Sequence, residues 1–235
     1  VLQREVAAGP ATQVADRAVF AALTILAAIA LIERRNAVRA FTGLGWWGLA
    51  AVVPWAFASS LFILSLNYTT VANVLFWQAT APMLAALLAW LLLSERIAVR
   101  TWAAMALAAL GVLLIVGGGV EGGVVAAVLP FVMTVAFAVV IVLSRVRADI
   151  SFAPAAFLSQ LLVIACLGPF AKMGSASGSD WLWLALLGAI VASGIVLMTI
   201  AAQRLPASEI ALITLLQIVL GPLYVWLAYR EQPSV

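Results

Sequence analysis

Apolar residues run along this chain in long blocks, and polar residues gather in short clusters between them. The blocks predict helices near 18–32, 46–66, 71–93, 102–117, 123–144, 153–171, 181–203 and 208–229. The separating clusters include Glu33-Arg34-Arg35-Asn36, Asn67-Tyr68-Thr69-Thr70, Ser94-Glu95-Arg96, Gly117-Gly118-Gly119, Arg145 to Asp149, Gly174 to Asp180 and Arg204-Leu205-Pro206. Several blocks reach the roughly 20 residues that a helix needs to cross a hydrocarbon core about 30 Å thick. Long irregular connectors are missing from the pattern, as lipid requires of a backbone that must pair its own polar groups. The pattern predicts an all-α polytopic membrane protein with about eight visible spans. No charged residue falls deep within any of these predicted spans, and residues 1–17 lack the apolar run of a signal peptide.

Composition strengthens this reading. Hydrophobic residues make up 66% of the chain, charged residues 9%, and the mean hydropathy is +1.21. A soluble domain is nearer half apolar and a quarter charged, so this inventory cannot cover a water-facing surface. The net charge of +3 is too small to indicate a nucleic-acid partner. Cys166 is the single cysteine, which excludes an intramolecular disulfide. Its apolar surroundings suit a small packing residue.

The placement of the charge matters more than its sum. With connectors alternating sides, Arg34, Arg35, Arg39, Arg96, Arg100, Arg145, Arg147 and Arg204 fall on one side, and Arg4, Arg17, Lys172 and Arg230 on the other. The positive-inside rule makes the first side cytoplasmic. Residues 1–17 are then expected outside. Trp46, Trp47, Trp102, Trp181 and Trp183 sit at predicted span ends, where tryptophan anchors a helix in the interface.

Shifting the chain by 136 positions lays residues 63–95 on 199–231 and aligns Leu87, Trp90, Leu91 and Glu95 with Leu223, Trp226, Leu227 and Glu231. A short connector before a span also coincides, Tyr68-Thr69-Thr70 on Arg204-Leu205-Pro206. Five span starts separate the two glutamates, an odd number. Two copies offset this way are inverted relative to each other, an arrangement common in secondary transporters. The expected organisation is an inverted repeat of two five-helix units, 1–117 and 118–235, with eight of ten helices visible and the outer member of each unit not shown.

The segment from Ala72 to Arg96, with Pro82 ten residues into the helix and Ser94-Glu95-Arg96 closing it, resembles the EamA repeat of the drug/metabolite transporter superfamily. Leu216-Gln217-Ile218-Val219-Leu220-Gly221-Pro222-Leu223-Tyr224-Val225-Trp226 resembles the matching end of that family's second repeat. Family members often carry Glu-Pro where this chain has Gln217-Ile218. The resemblance implies a ten-helix exporter of amino acids, amines and other metabolites, with both termini cytoplasmic. Within the family the chain resembles the aromatic amino-acid and drug exporter branch.

Glu95 and Glu231 lie at span ends beside Arg96 and Arg230, where an interfacial ion pair is the plainer reading than proton transfer. The chain has no histidine, which argues against a metal centre and a Ser-His-Asp hydrolase. The phosphate-binding pattern Gly-x-x-x-x-Gly-Lys-Ser/Thr does not occur, so no nucleotide motor is expected. Neither a cofactor nor a metal is expected.

Uncharged polar residues inside spans remain. Asn73 and Trp77, four apart, share a helical face, and Gln78 lies about 100° round from Trp77. Under the 136 shift Gln78 corresponds to Thr214. Ser59, Thr134, Gln160 and Ser193 occur at comparable depth. These eight are the candidates to line a solute cavity, with interhelical hydrogen bonding as the alternative role. A tryptophan well inside a span is poorly explained as an anchor, which favours Trp77 with Gln78 for the cavity. Pro82 and Pro222 are candidate kinks that gate it. Ala81, Ala85 and Ala89, and Ala104 with Ala108, form rows that bring helix backbones close.

The expected function is secondary export of small organic solutes, neutral or aromatic amino acids or hydrophobic amines, by alternating access across a bacterial inner membrane. The expected partners are that solute and the bilayer, without nucleic acid, and a monomer is the expected state. The alternatives are an integral-membrane enzyme, which would need acidic or histidine clusters at a membrane face, and a non-transporting membrane subunit.

Overall fold

The structure is a computed structural model that describes residues 9–94, 123–147, 149–172 and 178–204, with scattered positions at 99, 102, 103, 105–107, 110 and 220. Among the described residues every regular element is helical. In order these are α1 (Pro10–Glu33), a 3₁₀ turn (Arg34–Asn36), α2 (Ala37–Thr42), α3 (Gly45–Tyr68), α4 (Val71–Ala79) and α5 (Ala81–Leu93). There follow α6 (Gly123–Val146), α7 (Ala153–Leu167), a 3₁₀ turn (Gly168–Phe170) and α8 (Gly178–Arg204).

Six stretches are long and apolar enough to cross a membrane: Pro10–Glu33, Gly45–Tyr68, Asn73–Leu93, Gly123–Val146, Ala153–Phe170 and Asp180–Met198. They coincide with six of the eight spans expected from the sequence. The other two, 102–117 and 208–229, lie outside the described residues, as do Ala104, Ala108, Glu95, Glu231, Thr214 and Pro222. The exposed surface is itself apolar. On α8, Leu182, Leu186, Ile190 and Leu197 face outward, while Leu184, Ala192 and Val196 are buried. Side chains of that kind on the outer face suit hydrocarbon, not water.

The first span begins eight residues earlier than its apolar pattern suggests. Pro10 stands in the first turn, where its missing N–H is no loss. The helix then carries Thr12, Gln13, Asp16 and Arg17 into buried positions. This corrects two expectations. Residues 10–17 belong to the span, and two charged side chains lie inside it.

The chain divides into two compact units, residues 1–56 with 143–210 and residues 57–142 with 211–235. In the first unit α1 packs against both α7 and α8. Val14, Ala18, Ala21, Ile25 and Ile29 recur at helical spacing and are buried, with Ala15 and Ala22 beside them. Edge-to-face ring pairs join Phe20 to Trp181 (centroids 5.8 Å apart) and Phe41 to Phe157 (5.7 Å). Outside the spans, Arg147 grips Asp149 through two hydrogen bonds of 2.7 and 2.8 Å, which holds the Asp149 carboxyl below its ordinary pKa. The pair lies at the surface, its side chains 41% and 64% exposed, and contributes little to stability.

In the second unit the crossing at 71–93 is interrupted. Thr80 separates α4 from α5, with Pro82 in the first turn of α5. Proline lacks the N–H for the preceding turn and its ring presses on that turn, so the break falls just before Pro82. Ser94, in the left-handed conformation (φ 55°), ends α5. Ala85 and Ala89 pack with Ala138 and Val142 of α6, flanked by Leu84, Leu88 and Ile141. Small side chains permit this close seam. Asn73 meets Ala126 and Trp77 meets Phe131, so the offset of 53 to 54 residues persists along the crossing and the two helices run in the same direction.

Candidate functional site

The polar residues of α4 are set by its entry turn. Thr70 occupies the N-cap, its hydroxyl accepting from the Asn73 backbone N–H at 3.3 Å. Thr69, just before it, accepts from the Asn73 side-chain Nδ2 at 2.9 Å. The same Nδ2 donates to the Ala126 carbonyl of α6 at 3.4 Å. That carbonyl lies four residues before Pro130, which has no N–H to offer it. Asn73 thus supplies a donor that proline withholds, one way in which a membrane helix tolerates an internal proline.

One turn further along, Trp77 is only 9% exposed and stacks edge-to-face on Phe131, the ring centroids 5.4 Å apart. Thr134 lies three residues beyond Phe131 on the same side of α6. It is buried, and its hydroxyl donates to the Pro130 carbonyl at 2.6 Å. Back-bonding of this kind bends a helix. Thr80 similarly donates its hydroxyl to the Trp77 carbonyl at 2.7 Å, closing α4 at the break.

Of the sequence candidates, Asn73 and Trp77 therefore contact α6, the helix on which Thr134 is buried. Gln78 and Ser59 are half-buried in the same unit. Gln160 belongs to the other unit, buried on α7, with its amide donating to Ser159 at 3.1 Å. Ser193 is exposed on α8. Pro82 stands where α5 begins.

Sequence reasoning passed over two features. Ser65 of α3 is fully buried one turn before Thr69. Asp16 and Arg17, each 1% exposed, lie within α1, and each makes a hydrogen-bonding or electrostatic contact. The signal for them was Pro10 as a helix start, together with Val14 and Ala18 continuing the apolar spacing backwards. Burial of ionisable groups inside a span is costly, and it marks α1 as more than a scaffold. The described residues of the second unit contain no charged side chain.

Helices that are apolar outside and polar at a few buried positions define a multi-pass membrane protein. Residues 2–117 match the EamA-like transporter family, so the segment carrying α1 to α5 belongs to a transporter family of the drug/metabolite superfamily. That match, to about half of the chain, suggests a membrane transporter of the same type. No curated protein and no solved structure matches the chain.

Proposed function

We propose that the chain exports small organic solutes across a bacterial inner membrane by alternating access between two inverted repeats, 1–117 and 118–235. The solutes are neutral or aromatic amino acids, related metabolites or hydrophobic amines, and both termini face the cytoplasm. The match of residues 2–117 to a transporter family carries this reading. Buried uncharged polar groups within the apolar crossings support it, because a solute path needs hydrogen bonds at depth. The arginine bias supports the orientation. Arg17 drops out of that comparison, since it lies inside α1, and the bias grows without it.

The test is counterflow of labelled amino acids and amines in proteoliposomes containing the full-length protein, with and without a pH gradient. Uptake above that of empty liposomes is expected for at least one solute. Absence of flux for every solute would sink the transporter reading. Pro82→Ala is expected to join α4 to α5 and slow transport several-fold at unchanged folded yield. Wild-type turnover in that variant would remove Pro82 from gating.

A further inference from the structure

Among the described residues of the second unit, three buried polar atoms have no hydrogen-bonding partner: Oγ of Ser65, Oδ1 of Asn73 and Nε1 of Trp77. They are linked in the chain. The Thr69 N–H donates to the Ser65 carbonyl at 2.9 Å, and the Thr69 hydroxyl accepts from the Asn73 amide at 2.9 Å. Trp77 follows one turn on, about 6 Å along α4. Interhelical hydrogen bonding is the ordinary employment of polar side chains in membrane helices. It accounts for Asn73 Nδ2, which serves Thr69 and Ala126. It does not account for these three atoms, and burying a polar atom unpaired is unfavourable.

Their chemistry is specific. The indole Nε1–H can only donate, the amide Oδ1 can only accept, and the serine hydroxyl can do either. A group that satisfies them must both accept and donate. The unit offers no charged side chain among its described residues to balance an ion, and an unbalanced charge at this depth is strongly disfavoured. The Trp77 and Phe131 rings supply an apolar flank.

We propose that Ser65, Asn73 and Trp77 form a subsite for the uncharged hydrogen-bonding group, a carboxamide or hydroxyl, of a solute with an aromatic or apolar body. The subsite rests on the reading of the chain as a solute transporter and narrows it: the carboxylate or ammonium of a charged solute does not lodge here.

Phenylacetamide, phenylacetate and phenethylamine share one ring and differ in the head group. Binding of each to the purified full-length protein in nanodiscs is measured by calorimetry. Phenylacetamide is expected to bind at least ten-fold more tightly than either ion. Trp77→Phe keeps an aromatic ring against Phe131 but loses the N–H together with the pyrrole part of the indole, and it is expected to weaken phenylacetamide binding roughly ten-fold, equivalent to about 1.4 kcal/mol, while leaving the affinities of the two ions unchanged. Asn73→Leu is expected to do the same; if its loss of the Ala126 contact prevents folding, Trp77→Phe alone decides. Equal binding of an ion, unchanged affinity in folded Trp77→Phe, or no binding of all three overturns the subsite. Flux without amide preference would remove the subsite and leave the transporter. Amide-selective binding in a protein that moves no solute would do the reverse.

Discussion

Alanine at position 188 is expected to destabilise the α1–α8 packing by about 1–3 kcal/mol, the usual cost of forcing an extra carbon into a filled contact. A Cβ on Gly188 would stand 2.7 Å from the Phe20 Cβ, 2.9 Å from the Arg17 carbonyl oxygen and 3.0 Å from the Ala21 nitrogen. Two of those atoms are backbone of a neighbouring helix, so no rotamer change relieves the clash. The helices must move apart, and the buried row of Leu184, Ala192 and Val196 would lose contact with them. Gly194 on the same helix is the control, since a Cβ there meets nothing within 4 Å. Gly194→Ala is expected to be neutral or to gain up to about 1 kcal/mol from helix propensity. Unfolding in mixed micelles followed by circular dichroism separates the two. Similar shifts for both variants would show that Gly188 is not a packing contact.

The second large effect is expected at Asp16. The buried part of α1 carries one negative and one positive side chain at consecutive positions, so its net charge is balanced. Asp16→Asn leaves the Arg17 charge in a packed region without that balance, at a cost of about 2–4 kcal/mol. Arg17→Gln is expected to cost a similar amount by the converse route. The double variant removes both charges and is expected to be more stable than the sum of the single losses implies. A double-mutant cycle on unfolding free energies measures this coupling. Strict additivity would mean that the two side chains are held independently by other groups.

These two sites also show what could be read from the chain and what could not. The crossings at 45–68, 123–146 and 153–170 were legible because each is a near-continuous apolar block ended by polar residues. The start of α1 was not. Hydropathy weighs a helix against one solvent, whereas α1 lies against two helices, and polar side chains on its buried turns meet protein instead of lipid. Gly188 shows the same limit, because its role depends on the backbone of α1, more than 160 residues away in the chain.

The break at Thr80 was legible only as Pro82, since a proline acts on the turn before it. Within the candidate site, the shared face of Asn73 and Trp77 followed from helical spacing. Their partners Ala126 and Phe131 did not, because no local pattern connects residues 53 and 54 apart. Ser65 drew no notice, as a serine next to a polar connector looks like part of it.

The hydrogen bond from Asn73 to Ala126 has a consequence for the order of events during synthesis. The Asn73 side chain can adopt its final arrangement only after another 53 residues have been made and α6 has entered the bilayer beside α4. Until then Thr69 can serve one of its amide protons, and the other must be satisfied by water, lipid head groups or the insertion machinery. The Ala126 carbonyl, deprived of a donor by Pro130, arrives with the opposite need. A late crossing is thus completed by an early one, and a nascent chain that stops short of Pro130 holds α4 with its polar face unfinished.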